Sequence, residues 1–143
     1  MKNLFLTISA QLSTVSAIKW IDLDNGQTDN AERPSLKYPA ALVRISFPNP
    51  EELGGGSQLV NANIQVRLVF DATNGRTSQA STEAARERSL AYLTTADDVF
   101  KSLQGFETET YSALERTEQV PEPRSDGLAI VRFTFKTMFH YFA

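Results

Sequence analysis

The sequence predicts an α+β fold: a mainly antiparallel sheet of about five strands with two helices packed on one face. Three observations carry that expectation. Residues 60–70 alternate strictly, with Val60, Ala62, Ile64, Val66, Leu68 and Phe70 apolar and Asn61, Asn63, Gln65 and Arg67 polar. That period-2 pattern belongs to a strand with one buried face. Leu4, Phe5, Ile8, Leu12 and Val15 recur instead at helical spacing. Ser81-Thr82-Glu83 opens a second helical stretch, with a hydroxyl cap and an acid in the first turn.

The elements follow in order. After the first helix, Ala17 to Leu23 is short and rich in β-formers (Ile18, Trp20, Ile21). Asp24-Asn25-Gly26 is a turn signal, because Asn and Gly tolerate positive φ. A polar loop containing Pro34 runs on to about Ser35. Ala41, Val43, Ile45 and Phe47 alternate with Leu42, Arg44 and Ser46, and Pro39 and Pro48 bound this strand without breaking it. Residues 48–57, with Gly54, Gly55 and Gly56, read as a long exposed loop or hairpin connection. The strand at 60–70 spans roughly 35 Å at ~3.3 Å per residue. Asp71 to Ala80 is a polar linker. The second helix runs to Leu103, with Gly105 as its stop and Ala85, Tyr92, Leu93, Ala96, Val99, Phe100 and Leu103 on one face. Phe106 to roughly Glu118 is Thr-rich and β-like, and the run from Pro121 to Gly127 breaks the chain. In the last strand Ala129, Val131, Phe133, Phe135 and Phe139 share a face, against Arg132, Thr134, Lys136 and His140. A tight hairpin joins these last two strands. The order is α-β-β-β-α-β-β, and short connections between consecutive strands imply antiparallel pairing.

A chain of 143 residues fits one domain, 1–143, with enough bulk for its own core. Without cysteine it has no disulfide, no thiolate metal site and no cysteine nucleophile. That composition suits a reducing, cytoplasmic setting. A net charge of −3 with no basic block argues against sequence-specific or general nucleic-acid binding as the main task. No apolar run approaches the ~20 residues that cross a bilayer. Lys2 followed by Leu4 to Ala10 matches a signal peptide poorly, since Thr7 and Ser9 interrupt a very short apolar stretch.

The inventory for catalysis is thin, and no enzyme is expected. His140 is the only histidine and has no partner nucleophile or orienting acid nearby in sequence. Around Gly26 a calcium loop fails, because positions 1 and 3 would be Ile21 and Leu23. Asp22, Asp24, Asp29 and Glu32 remain as a loose acidic cluster without a strict signature. Gly54-Gly55-Gly56-Ser57 lacks the lysine and the following helix of a phosphate loop. Glu107, Glu109, Glu115 and Glu118 are carboxylates available to a hydrolase, though on a strand such pairs usually mark a solvated face or an interface rim. No cofactor, catalytic or metal-ligating residue is assigned.

More informative is the polar side of the sheet. Asn61, Asn63, Gln65 and Arg67 form a row that Arg44, Arg132 and Lys136 would join if helices cover only the other side. Plain solvation explains such a face. A wet subunit interface or ring lumen explains it too, with Gly54, Gly55 and Gly56 as a contact loop.

Lys37-Tyr38-Pro39-Ala40-Ala41-Leu42-Val43-Arg44-Ile45 resembles a segment of small tail-completion and tail-terminator proteins of tailed phages and prophages. The order of elements is similar across nearly the whole chain, apart from the Gly-rich loop and the Pro-Glu-Pro insertion. What the resemblance implies is a structural virion protein: a tail terminator or head–tail joining subunit in a homo-oligomeric ring, with other tail or neck proteins as partners and assembly in the cytoplasm. It carries over no catalytic residue. Two other readings stand beside it: a non-catalytic protein- or ligand-binding module of the same fold, and an unrecognised hydrolase.

Overall fold

A computed structural model describes residues 1–29, 33–73, 75 and 77–143. Two helices, α1 (Lys2–Leu12) and α2 (Glu83–Leu103), accompany six strands. These are β1 (Trp20–Leu23), β2 (Ala40–Ser46), β3 (Glu51–Gly54), β4 (Ser57–Asp71), β5 (Glu115–Glu122) and β6 (Leu128–Phe142). They form one sheet in the order β1-β2-β4-β6-β5, with β3 beside the start of β4.

The alternating residues of β4 set the frame. Val60, Ala62, Ile64, Val66 and Leu68 are buried under the helices, together with Val131, Phe133 and Phe135 of β6. β4 and β6 pair over their full length, from Ser57↔Phe142 to Asp71↔Leu128. Leu4, Ile8 and Leu12 of α1 close the core from above, as do Ala96, Val99 and Leu103 of α2. The helices are tied by a bond from Gln11 Nε2 to the Ser102 carbonyl, 2.7 Å. Thr82 caps α2 through its hydroxyl, which accepts from the Ala85 amide at 3.2 Å. Beyond the last turn Gly105 takes φ +76°, the left-handed value that stops a helix. The first three turns of α2 bury no residue, and Leu93, expected on the core face, stands exposed. Their main anchor is Tyr92, whose ring lies 5.3 Å from that of Phe70.

Four expectations are corrected. The sheet has six strands and not about five, because Gly55 and Gly56, with φ of +62° and +77°, make a two-residue turn joining β3 to β4. The stretch at 48–57 is therefore largely a hairpin. Second, β1 pairs parallel to β2, from Trp20↔Ala40 to Leu23↔Val43. The connection after Asp24 is long enough for the crossover that a parallel pair requires. The expected polar loop there includes Asn30, Ala31 and Glu32, which lie outside the described residues, as do Asn74 and Arg76 of the 71–80 linker.

Third, the strand expected at 106–118 lies at Glu115–Glu122. The Thr-rich stretch folds locally instead: the Thr108 hydroxyl accepts from the Thr110 and Tyr111 amides at 3.2 and 3.0 Å. Such side-chain bonds compete with strand ladders. Glu107 and Glu109 accordingly sit in a loop. Fourth, Pro121 lies inside β5, where the edge position spares the ladder a missing N–H. The expected hairpin to β6 is present.

Candidate assembly surface

Opposite the helices, the sheet face divides in two. At one end Ala40, Leu42, Val69, Leu128 and Ile130 make a second, smaller core, with Trp20, Leu36 and Tyr38 packed against it. The remainder is polar. Cross-strand register places Arg44 beside Gln65 on β2 and β4. It also sets Asn63 opposite Lys136, and Arg67 opposite Arg132. All seven polar residues expected on this face therefore share it. Gly54, Gly55 and Gly56 are exposed but stand apart, at the hairpin tip.

Two arginines directly opposite each other repel unless acids intervene. Here β5 supplies them. Glu122 Oε1 lies 3.0 Å from Arg67 Nε and 3.4 Å from Arg132 Nη1. Glu118 Oε1 sits 2.7 Å from Arg132 Nη2 and helps hold that guanidinium charged. On its other side Arg67 Nη1 is 3.4 Å from Asp24 Oδ2 and 3.8 Å from Asp29 Oδ1. The Asp24 side chain is fully buried, accepts from the Gly26 amide at 3.0 Å, and also meets Arg44 Nη2 at 3.4 Å. Arg67 and Arg132 are thus largely engaged within the chain. Arg44, Asn61, Asn63 and Lys136 remain exposed, Lys136 facing Glu115 at 3.5 Å.

Sequence reasoning missed Asp24, Glu118 and Glu122 as members of this network. Their acidity was visible, but pairing Glu122 with Arg67 requires knowing that β5 starts at Glu115. The loose acidic cluster divides: Asp24 and Asp29 both meet Arg67 Nη1, whereas Asp22 Oδ1 accepts its neighbour's amide, from Leu23. Glu32 lies outside the described residues. Among the described residues no three His, Asp or Glu side chains gather as a metal site. His140 is exposed near Phe142, their rings 6.4 Å apart.

Two further ion pairs pin the loops around the second core. Arg33 Nη2 meets Asp71 Oδ1 at 2.7 Å, and Arg124 grips Asp126 while donating to the Thr28 carbonyl at 2.6 Å. The arginine hydrogen bonds hold both carboxyls down to about 2. A folded-state value below the ordinary 3.8 means that the native chain binds fewer protons there than the unfolded one. The resulting stabilisation is complete above the ordinary value and disappears as pH falls toward 2. Urea midpoints measured from pH 5 to 2 should therefore fall more steeply for the native sequence than for Asp71→Asn/Asp126→Asn. Equal slopes would show these pairs to be idle.

Among the described residues no helix is long and apolar enough to cross a membrane. An open cleft of about 400 Å³ lies between α2 and the end of β4, lined by Tyr38, Phe70, Arg88 and Tyr92 among others. No family model matches this sequence, and no curated protein does. The fold, however, is similar to that of a chain in the virion of a native gene transfer agent particle. The TM-score is 0.50 at 10% identity, covering 94% of this chain and 92% of that one.

Proposed function

We propose that this chain is a structural protein of a phage-like particle, a tail terminator or head–tail joining subunit that works as a homo-oligomeric ring. The observation that carries the reading is the end-to-end likeness of fold to a virion chain. Near-complete coverage of both chains means that the whole architecture is alike and not one shared hairpin. Sequence supports the same direction independently, through the segment at 37–45. The open polar face suits a wet contact or lumen: exposed Arg44, Asn61, Asn63 and Lys136 stand on a scaffold that Arg67 and Arg132 stiffen. The subunit would assemble in the cytoplasm with other tail or neck proteins.

Light scattering on a size-exclusion column, over a rising concentration series, should give one discrete oligomer, with rings visible in negative stain. A strict monomer at every concentration, also with tail and neck proteins added, would overturn this reading.

A further inference from the structure

Resting on the ring reading, the tip of the sheet supplies its contact. Here β4 and β6 run on past β2 and β5, whose pairing stops at Asn63 and Lys136. Ser112 extends the β6 side as far as Met138, through bonds of 3.0 and 2.9 Å. Met138 thus points its N–H and C=O away from β4, whereas the Ala143 amide points to Gly56 of the turn before β4. Strand alternation then turns the N–H and C=O of His140 and Phe142 outward, and among the described residues nothing pairs with them. On the opposite side of the tip, Glu51 and Gly54 of β3 face odd-numbered β4 residues, which bond toward β3. Glu52 accordingly presents its N–H and C=O outward.

We infer that a second copy of this chain docks edge to edge at this tip, the β3 of one subunit adding to the β6 of the next. Direction, parity and charge all fit. β3 and β6 both run antiparallel to β4, so they are parallel to each other, and a neighbour in the same orientation offers β3 parallel to β6. The rows across the tip are Glu51–Leu59–His140 and Glu52–Gln58–Tyr141. Continuing each row into the next copy puts Glu52 beside Tyr141. Its outward N–H then meets the His140 carbonyl and its C=O the Phe142 amide, as a parallel ladder requires. The same step sets Glu51 next to the His140 imidazole and Glu52 next to the Tyr141 hydroxyl. Acceptors therefore end each row on one edge, and donors on the other.

Like edges do not match. Two β3 strands would bring four carboxylates together, so the contact runs head to tail and repeats with every copy, the kind of interface that a closed ring uses. Other edges are protected: β5 carries Pro121 and a bulge, and β1 has four residues. A groove of about 570 Å³ flanks the bare end of β6, lined by Leu59, Tyr111, Met138 and Phe142. Leu53, 48% exposed on β3, would enter it. Glu109 also lines this groove and opposes the incoming glutamates, so Glu109→Gln should tighten assembly.

The test uses two proline variants of the full chain. Phe142→Pro and Glu52→Pro each remove one donor of that ladder and leave the pairing to β4 intact. With unchanged circular dichroism, each alone should be monomeric where the native chain assembles. Mixed one to one they should form a dimer and nothing larger, through the one intact edge of each. Rings from either variant, or a mixture that stays monomeric, would overturn the edge contact while native rings keep the ring reading standing. A monomeric native chain would instead remove both. Should a proline variant unfold, Glu51→Arg alone should raise the assembly midpoint about tenfold, and adding His140→Glu should restore most of it. No shift in the first, or no rescue in the second, would equally count against the contact.

Discussion

Replacing Arg67 with alanine is expected to remove about 3–5 kcal/mol of unfolding free energy, the range for stripping one partner from a buried ion pair. The side chain is 14% exposed and stands between Asp24, whose carboxylate has no exposure, and Glu122. Without the guanidinium, Asp24 keeps the Gly26 amide at 3.0 Å and one cation, Arg44, at 3.4 Å and on an exposed side chain. Desolvation of a carboxylate left with weaker partners dominates that outcome, because lost Coulomb attraction alone is modest at the sheet surface. Lysine should rescue little, since one ammonium cannot serve Glu122 through Nε and Asp24 through Nη1 as the planar fork does. Arg67→Met with Asp24→Asn should recover most of the loss by withdrawing both charges. Urea unfolding of the four proteins checks this, and a loss below about 1 kcal/mol for Arg67→Ala would mean that water reaches Asp24 freely.

How much of this was legible beforehand depended on range. The cap at Thr82, the stop at Gly105 and the alternation of 60–70 are local signals, and the structure places α2 and β4 on them. Burial on the helix face follows from the same alternation. Pairing direction is not local. Trp20 to Leu23 reads as a strand in either orientation, and only the course of the following crossover makes it parallel to β2. The second core had a faint signal: Leu42, Val69 and Ile130 are apolar at positions whose alternation assigns them to the outer face. Reading the outer row as polar throughout hid that end of it. Pro121 misled for a physical reason, since proline forbids central strands and tolerates edges, and edge status is a property of the whole sheet. The seven polar face residues were legible by alternation, yet which of them are engaged was not, because Glu118 and Glu122 reach them only through β5 register.

These two kinds of residue divide the face by task. Arg67 and Arg132 hold β4, β5 and β6 in one charged lattice, so their substitution should act first on stability. Arg44, Asn61, Asn63 and Lys136 stand exposed beside them, with Arg44 reaching Asp24 at 3.4 Å and Lys136 reaching Glu115 at 3.5 Å. At the tip the division is sharper still: the side chains of His140 and Phe142 are exposed, and among the described residues nothing pairs with their outward backbone edge.

Phe133→Ala should be the companion large effect, about 3–5 kcal/mol, and it separates folding from assembly. Phe133 is fully buried, lies opposite Val66 and Gln119 on β4 and β5, and stacks on Phe135 with ring centres 6.0 Å apart. Truncation empties a volume that strands paired on both sides cannot collapse into, so transfer and cavity terms add. Leucine keeps part of that volume and should lose less than alanine does. Phe142, in contrast, is 70% exposed, and Phe142→Ala should move stability by no more than about 0.5 kcal/mol. Both phenylalanines belong to one strand and differ by nine positions, so propensity cannot explain a difference between them. If Phe142→Ala unfolds at the native urea concentration and yet assembles less readily, its ring works between subunits. Equal destabilisation by the two substitutions would show instead that the tip packs as part of the core, and would leave no free edge for a neighbour.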